Sequence, residues 1–349
     1  MPARSTVSER RMLQVFAGQT LTPPPIWLMR QAGRYLPEYR EVRARVRDFL
    51  ELCYTPELAA EVTLQPIRRF DFDAAIVFAD ILIVPDALNQ TVRFIEGEGP
   101  RLDAIRSAAE LARLKESATR PKFQRVFETV ARVRQDLPRT TALIGFCGAP
   151  WTVATYMVEG QGSVDQAGAR LWAYRDPQGL QRLISLLEDV SVEYLSGQID
   201  AGADVLQIFD SWAGSLPDDQ FRHWVIAPTR RLVGRLKARH PAVPVIGFPR
   251  GAGLLAREYA AETGVDGLSC DWAMPLKFMA QELPKHTVVQ GNLDPLLLLA
   301  GGPALERRVA ELVAQFSQRA FIFNLGHGIQ PQTPPENVAR LVGLVRGTD

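Results

Sequence analysis

Read for hydrophobic and polar positions, the chain alternates short continuous apolar runs with longer stretches whose apolar residues recur every three or four positions. Continuous runs fit strands covered on both faces, and the periodic stretches fit helices with one buried face. Eight runs have strand length: Ile26 to Met29, Ala74 to Phe78, Thr141 to Phe146, Val205 to Phe209, Val243 to Phe248, Gly267 to Cys270, Thr287 to Gln290 and Ala320 to Asn324. Among the helical stretches, Leu180, Leu183, Ile184 and Leu187 share one face, extended by Tyr194 and Leu195 toward Gly202. Thr55-Pro56-Glu57 predicts another helix start, with a hydroxyl for the cap, proline in the first turn and an acid at the positive end of the dipole; that helix runs to about Phe70. Val92 to Ile95, closed by Gly97 to Pro100, reads as an accessory strand, and the charged run from Arg106 to Arg134 reads as solvated helix.

Eight apolar strands alternating with helices predict an α/β fold, a single (β/α)8 TIM-type barrel with its cleft at the C-terminal ends of the strands. The alternation alone also allows an open, doubly wound sheet. No Pro/Gly/Ser-rich linker or shift in composition divides the chain, which predicts one domain over residues 1–349 with 1–20 as an amino-terminal extension.

Composition narrows the function classes. At 46% hydrophobic and 23% charged residues the chain is ordinary globular protein, and its formal net charge of +1 gives no basic block for nucleic acid or an anionic membrane. Cys53, Cys147 and Cys270 are odd in number and widely spaced, without a Cys-x-x-Cys pair, which argues for a reducing compartment and against a disulfide framework. The amino terminus lacks the apolar core of a signal peptide, and the leucine run from Leu296 to Leu299 is too short to span a bilayer. Cytoplasm, with no membrane insertion and no nucleic-acid partner, is the expectation.

In a parallel barrel the chemistry gathers where strands end. The polar residues there are Arg30 and Arg34, Asp80, Tyr156, Asp210 and Ser211, Arg250, Asp271 and His327. Arg30 and Arg34 leave the first strand separated by a tripeptide that ends in Gly33, and two guanidinium forks suit a substrate with several carboxylates or phosphates. Surface ion pairs with Glu38 and Glu41 are the competing reading. Asp80 serves either as an acid–base group or acceptor, or as a cap for the next turn. Tyr156 offers a hydroxyl to a ligand or forms core with a polar tip, and Ser211 stands in no Gly-x-Ser-x-Gly elbow, so a serine hydrolase is not expected. His327 lies between Gly326 and Gly328, which predicts an exposed imidazole. No His or Cys spacing supplies metal ligands, so no metal is expected. Gly251-Ala252-Gly253 imitates a dinucleotide fingerprint, but it falls after five strands and behind Pro249-Arg250, where a tight turn is wanted.

Taken together, Pro-Ile-Trp-Leu-Met-Arg-Gln-Ala-Gly-Arg-Tyr-Leu-Pro-Glu from Pro25 and Gly-Phe-Cys-Gly-Ala-Pro-Trp-Thr from Gly145 resemble the two signatures of the uroporphyrinogen decarboxylase family. The resemblance continues through Phe78 to Leu82, Thr155 to Gly160, Phe209 to Gly214 and Asn324 to Gly328, and so covers nearly the whole chain. It implies a cofactor-free, homodimeric enzyme of haem biosynthesis that converts uroporphyrinogen III to coproporphyrinogen III by removing carbon dioxide from the four acetate arms. By the same resemblance Arg30 and Arg34 would hold carboxylates, with backbone or amide contacts from Gln31, Ala32 and Gly33. Asp80 would accept the pyrrole N–H groups at the centre of the bent macrocycle, and Tyr156, Ser211 and His327 would contact the acid arms. Asp80 and Arg30 would be the catalytic pair: protonation of a pyrrole carbon, organised by Arg30, makes a cationic ring that takes up the electrons released with carbon dioxide, while Asp80 stabilises the cation. Related barrel methyltransferases need zinc held by His and Cys, and a catalytically dead tetrapyrrole binder would lack the central acid; neither pattern is present.

Overall fold

Parallel pairing organises the computed structural model, which describes residues 8–95 and 97–348. The strands are β1 (Ala74–Ile76), β2 (Val92–Ile95), β3 (Gly99–Leu102), β4 (Ala142–Gly148), β5 (Val205–Asp210), β6 (Val245–Pro249), β7 (Gly267–Ser269), β8 (Val288–Leu293) and β9 (Phe321–Leu325). Seven of them make one sheet in the order β1-β4-β5-β6-β7-β8-β9, all parallel, while β2 and β3 form a separate antiparallel hairpin. Every residue of β4, β6, β8 and β9 is buried, as expected of strands covered on both faces.

The segment around Ile26 fills the eighth place. Ile26 bridges Phe323 in parallel, Phe323 N–H donates to the Pro25 carbonyl at 2.9 Å, and on the other side Asp73 N–H donates to the Ile26 carbonyl at 2.9 Å. The ring between β9 and β1 is thereby closed, and the fold is a TIM-like barrel, not an open sheet. The expected strand from Ile26 to Met29 is corrected to this single bridge. Side chains take over the ladder: Gln31 Oε1 accepts from Leu28 N–H at 3.0 Å and Asn324 Oδ1 from Met29 N–H at 3.0 Å. An apolar run can therefore be buried like a strand while its backbone polar groups are satisfied elsewhere.

Two apolar regions result. Met12, Val15, Trp27, Met29, Ile144, Val205, Phe248 and Ile322 pack together inside the barrel, so the short helix Arg11–Phe16 contributes to the interior core. A larger cluster joins the sheet to the outer helices, including Leu180, Leu183, Ile184 and Leu187 of the helix Pro177–Asp200, whose start Asp176 caps by accepting from Gly179 N–H at 2.8 Å. Inside the barrel, Trp27 Nε1 donates to Gln290 Oε1 at 2.9 Å, and the Gln290 amide reaches Ser269 and Gln207, so the interior is not purely apolar.

Two local expectations change. The helix Pro56–Phe70 begins as predicted, but Thr55 supplies no side-chain cap, because its hydroxyl donates to the Glu51 carbonyl at 2.7 Å. The charged run from Arg106 breaks into short 3-10 turns, and continuous helix starts only at Thr119, where Phe123, Val126, Val130 and Val133 provide a buried stripe.

Candidate active site

Around the ring, counted from Ile26, the strand-end residues arrive in spatial order. Arg30 follows the first position, Asp80 follows β1, Tyr156 lies on the helix Pro150–Glu159 after β4, Ser211 follows β5, Arg250 follows β6, Asp271 and Trp272 follow β7, and His327 follows β9. Two surface hollows, one bounded by Pro121, Gln124 and Phe127 and the other by Arg106, Trp172 and Arg175, lie among outer helices and contain none of these residues.

The loop bearing the arginines is fixed from within. Gln31 is fully buried, and its amide bridges the Leu28 N–H and the Ala74 carbonyl, the latter at 3.0 Å, while Tyr35 donates its hydroxyl to the Gln31 carbonyl at 2.8 Å. Of the backbone or amide contacts expected of Gln31, the amide is committed to holding the loop on β1. Ala32 and Gly33 are half-buried beside it, and Arg30 and Arg34 are exposed. Arg30 has a φ of 61°, in the left-handed region that costs a non-glycine residue roughly 1 kcal/mol or more. Its stem then passes over Gly328, where a Cβ would come within 2.7 Å of Arg30 Cγ. Among the described residues neither Arg30 nor Arg34 has an ion-pair partner, and Glu38 pairs instead with Arg69 at 3.3 Å, so the surface ion-pair reading does not hold.

Asp80 is half-buried at the end of β1. Its Oδ1 accepts from Leu82 N–H at 2.8 Å. Burial pushes its carboxyl from 3.8 up to about 6, opposed by that hydrogen bond and by the positive charge of Arg30. The cap and acid–base readings of Asp80 thus coexist: one oxygen caps the turn.

Burial also raises the Tyr156 phenol, which feels Asp80, Arg30 and Arg250, and the Tyr156 ring packs at 6.0 Å on Trp212 beside half-buried Ser211. His327 is not exposed as its flanking glycines suggest. It is half-buried, stacked on Trp272 with centroids 6.2 Å apart and edge-on to Phe248 at 6.1 Å. Burial first, then Arg30 and Arg250, push its pKa from 6.5 down to about 3, so the ring is neutral at neutral pH, a form with one nitrogen able to donate a hydrogen bond and the other able to accept one. The glycines have a different use: a Cβ on Gly326 would sit 2.8 Å from Trp272 Cα, so glycine lets two loops touch.

Asp80, Arg30, Tyr156, Arg250 and His327 therefore share one electrostatic environment, whereas the field of Arg34 falls on the buried Tyr39. Asp210 and Asp271 are framework groups. Asp210 is fully buried, accepts from the Thr152 hydroxyl, and is pushed up by burial to about 7, while Asp271 accepts from Gly251 N–H at 2.7 Å and Ala273 N–H at 2.9 Å. Trp212 and Trp272 are aromatic walls of the site that no sequence motif singles out; their one local signal is a strand-end aspartate within two residues, Asp210 and Asp271.

The whole described chain matches a family model, Uroporphyrinogen decarboxylase (URO-D), over residues 7–348. The chain belongs to the uroporphyrinogen decarboxylase family. It is 56% identical over 341 residues to a uroporphyrinogen decarboxylase from Sinorhizobium fredii, covering 98% of each chain. It is 54% identical to one from Rhodospirillum rubrum, covering 97% of each. Membership makes it a carboxy-lyase of haem biosynthesis, as the motifs anticipate. Among solved structures, a methyltransferase from Methanosarcina mazei superposes with a TM-score of 0.78 at 20% identity, covering 97% of this chain and 98% of that one. A B12-independent methionine synthase from Shewanella gives 0.56 at 10% identity, covering 94% and 95%. At such identities these two speak to the barrel fold alone.

Proposed function

We propose that the chain decarboxylates the acetate arms of uroporphyrinogen at this mouth, with Asp80 stabilising the cationic pyrrole and Arg30 and Arg34 holding acid arms. The observation that carries the reading is a partly desolvated carboxylate under the field of an arginine that has no ion-pair partner among the described residues. At neutral pH a carboxyl titrating near 6 is mostly ionised, yet its poor solvation leaves it better suited to a nearby cation than to water.

In balanced form, a proton adds to the pyrrole α-carbon adjacent to the carbon that bears the acetate arm and makes the ring cationic, with the arm-bearing carbon conjugated to the iminium. The bond between the arm's methylene and its carboxylate then breaks, and its electron pair neutralises the ring as carbon dioxide leaves. A proton added to the freed methylene and one lost from the ring carbon leave a methyl group. Asp80 lowers the energy of the cation, and it does so through charge already in place before the reaction. Arg30 is a very poor acid, so it organises a proton carried by water or by a substrate carboxyl. Ser211, Tyr156 and neutral His327 supply hydrogen bonds to acid arms, and Ala32 and Gly33 supply backbone contacts at the rim.

The same reading has the whole chain act as one barrel domain, as a homodimer, in the cytoplasm, without a cofactor. No helix among the described residues is long and apolar enough to cross a membrane. The test is an anaerobic incubation with uroporphyrinogen in which released carbon dioxide and the carboxyl count of the products are measured together. Stoichiometric carbon dioxide and coproporphyrinogen are expected. Binding without carbon dioxide release would mean a tetrapyrrole binder instead.

A further inference from the structure

The arginine that follows β6 has no role in the reading so far. Counted around the ring, Arg30 follows the first of eight positions and Arg250 the fifth, so the two cations face each other across the mouth. Among the described residues Arg250 makes no ion pair. Its guanidinium carbon lies 5.1 Å from the Trp272 ring centroid, and Trp272 in turn stacks on His327. Its main chain is fixed on three sides: Arg250 N–H donates to the Asp210 carbonyl at 3.1 Å, Gly214 N–H donates to the Arg250 carbonyl at 3.0 Å, and the next residue, Gly251, donates to Asp271.

A half-buried cation on a fixed base, laid on an indole and lacking a counter-ion, is arranged to receive an anion. The field of Arg250 already reaches both His327 and Tyr156. Resting on the proposed function, we infer that Arg250 is a third carboxylate-binding arginine, which holds an acid arm on the wall opposite Arg30. Uroporphyrinogen carries acid arms around its whole periphery, so cations on facing walls engage it at once and fix its tilt above Asp80. Trp272 is the platform that aims the guanidinium, and this explains an indole 39% exposed at the rim.

Arg250→Gln and Arg250→Lys test this by two readouts. In the anaerobic assay, Arg250→Gln is expected to raise KM on the order of tenfold with kcat within about twofold, the pattern of lost binding held equally in ground and transition states. Its KM should also depend less on salt than that of the wild type, because one exposed ion contact is gone. Arg250→Lys should recover most of the affinity. Titration with uroporphyrin, the oxidised and unreactive macrocycle, measures binding without turnover. If the wild type decarboxylates and Arg250→Gln leaves KM and salt dependence unchanged, the inference is wrong and the proposed function stands. If the wild type releases no carbon dioxide, the proposed function fails and the titration decides alone: weaker porphyrin binding by Arg250→Gln keeps Arg250 as an anion site, and equal binding removes it. Should Arg250→Gln fold poorly, the neutral Arg250→Met and Trp272→Leu carry the same comparison, and unchanged binding in both overturns the inference.

Discussion

Asp80→Asn should make the protein more stable while removing most of its activity. Burial raises the Asp80 carboxyl from 3.8 to about 6, and that difference corresponds to roughly 3 kcal/mol. The residue is half-buried and reachable from the cleft, so screening trims the figure to about 2–3 kcal/mol. Because the folded pKa is raised, the favourable contribution is complete below the unfolded value of 3.8 and is lost as pH rises through about 6, leaving an ionised, poorly solvated carboxylate at neutral pH. Asparagine keeps an oxygen to accept from Leu82 N–H but never ionises. In paired urea titrations the variant should gain its full stability advantage at pH 7.5 and about half of it at pH 5. Anaerobic turnover of uroporphyrinogen should fall by orders of magnitude, because an amide cannot balance the ring cation, and the wild-type kcat/KM should climb with pH through about 6. A stability gain independent of pH would refute the desolvation argument. Near-normal turnover in Asp80→Asn would remove the residue from the chemistry.

Other perturbations separate binding from framework. Arg34→Ala, at an exposed site without an ion-pair partner among the described residues, should raise KM several-fold with kcat and the urea midpoint nearly unchanged. Gly328→Ala should fold, because what its Cβ meets is the flexible stem of Arg30, but displacement of that side chain should lower kcat/KM at least tenfold on the order expected for a misplaced cation. Gln31→Leu should lower unfolding stability by about 2–4 kcal/mol in urea, since the Leu28 N–H and the Ala74 carbonyl both lose their partner in a buried site.

The strands that pair in the sheet were readable because parallel strands covered on both faces leave continuous apolar runs, and all of them but β8 lead into a residue of the mouth. What misled was long-range. Ile26 to Met29 is as apolar as a strand, but only the fold brings Asn324 to Met29 N–H and Gln31 to Ala74. Glu38 is near Arg34 in sequence, yet its partner is Arg69 on another helix. The glycines beside His327 suggested an open imidazole, whereas they admit the backbone of Trp272 and the stem of Arg30, and the ring ends up between aromatic walls. The identity of the strand-end residues was legible; their charge states were not, because desolvation depends on neighbours contributed by every part of the ring.

The closing bridge between Ile26 and Phe323 also ties the site to the two ends of the described chain. It joins nearly opposite ends of the described chain, the pairing of highest sequence separation in the barrel and therefore the one with the largest loop-closure entropy. Arg30 is held by the segment that follows this strand: Asn324 fixes Met29, Ile329 N–H donates to the Met29 carbonyl at 3.0 Å, and Gly328 lies under the Arg30 stem. The placement of Arg30 thus depends on the contact whose closure costs the most chain entropy, whereas Arg250 is fixed without it.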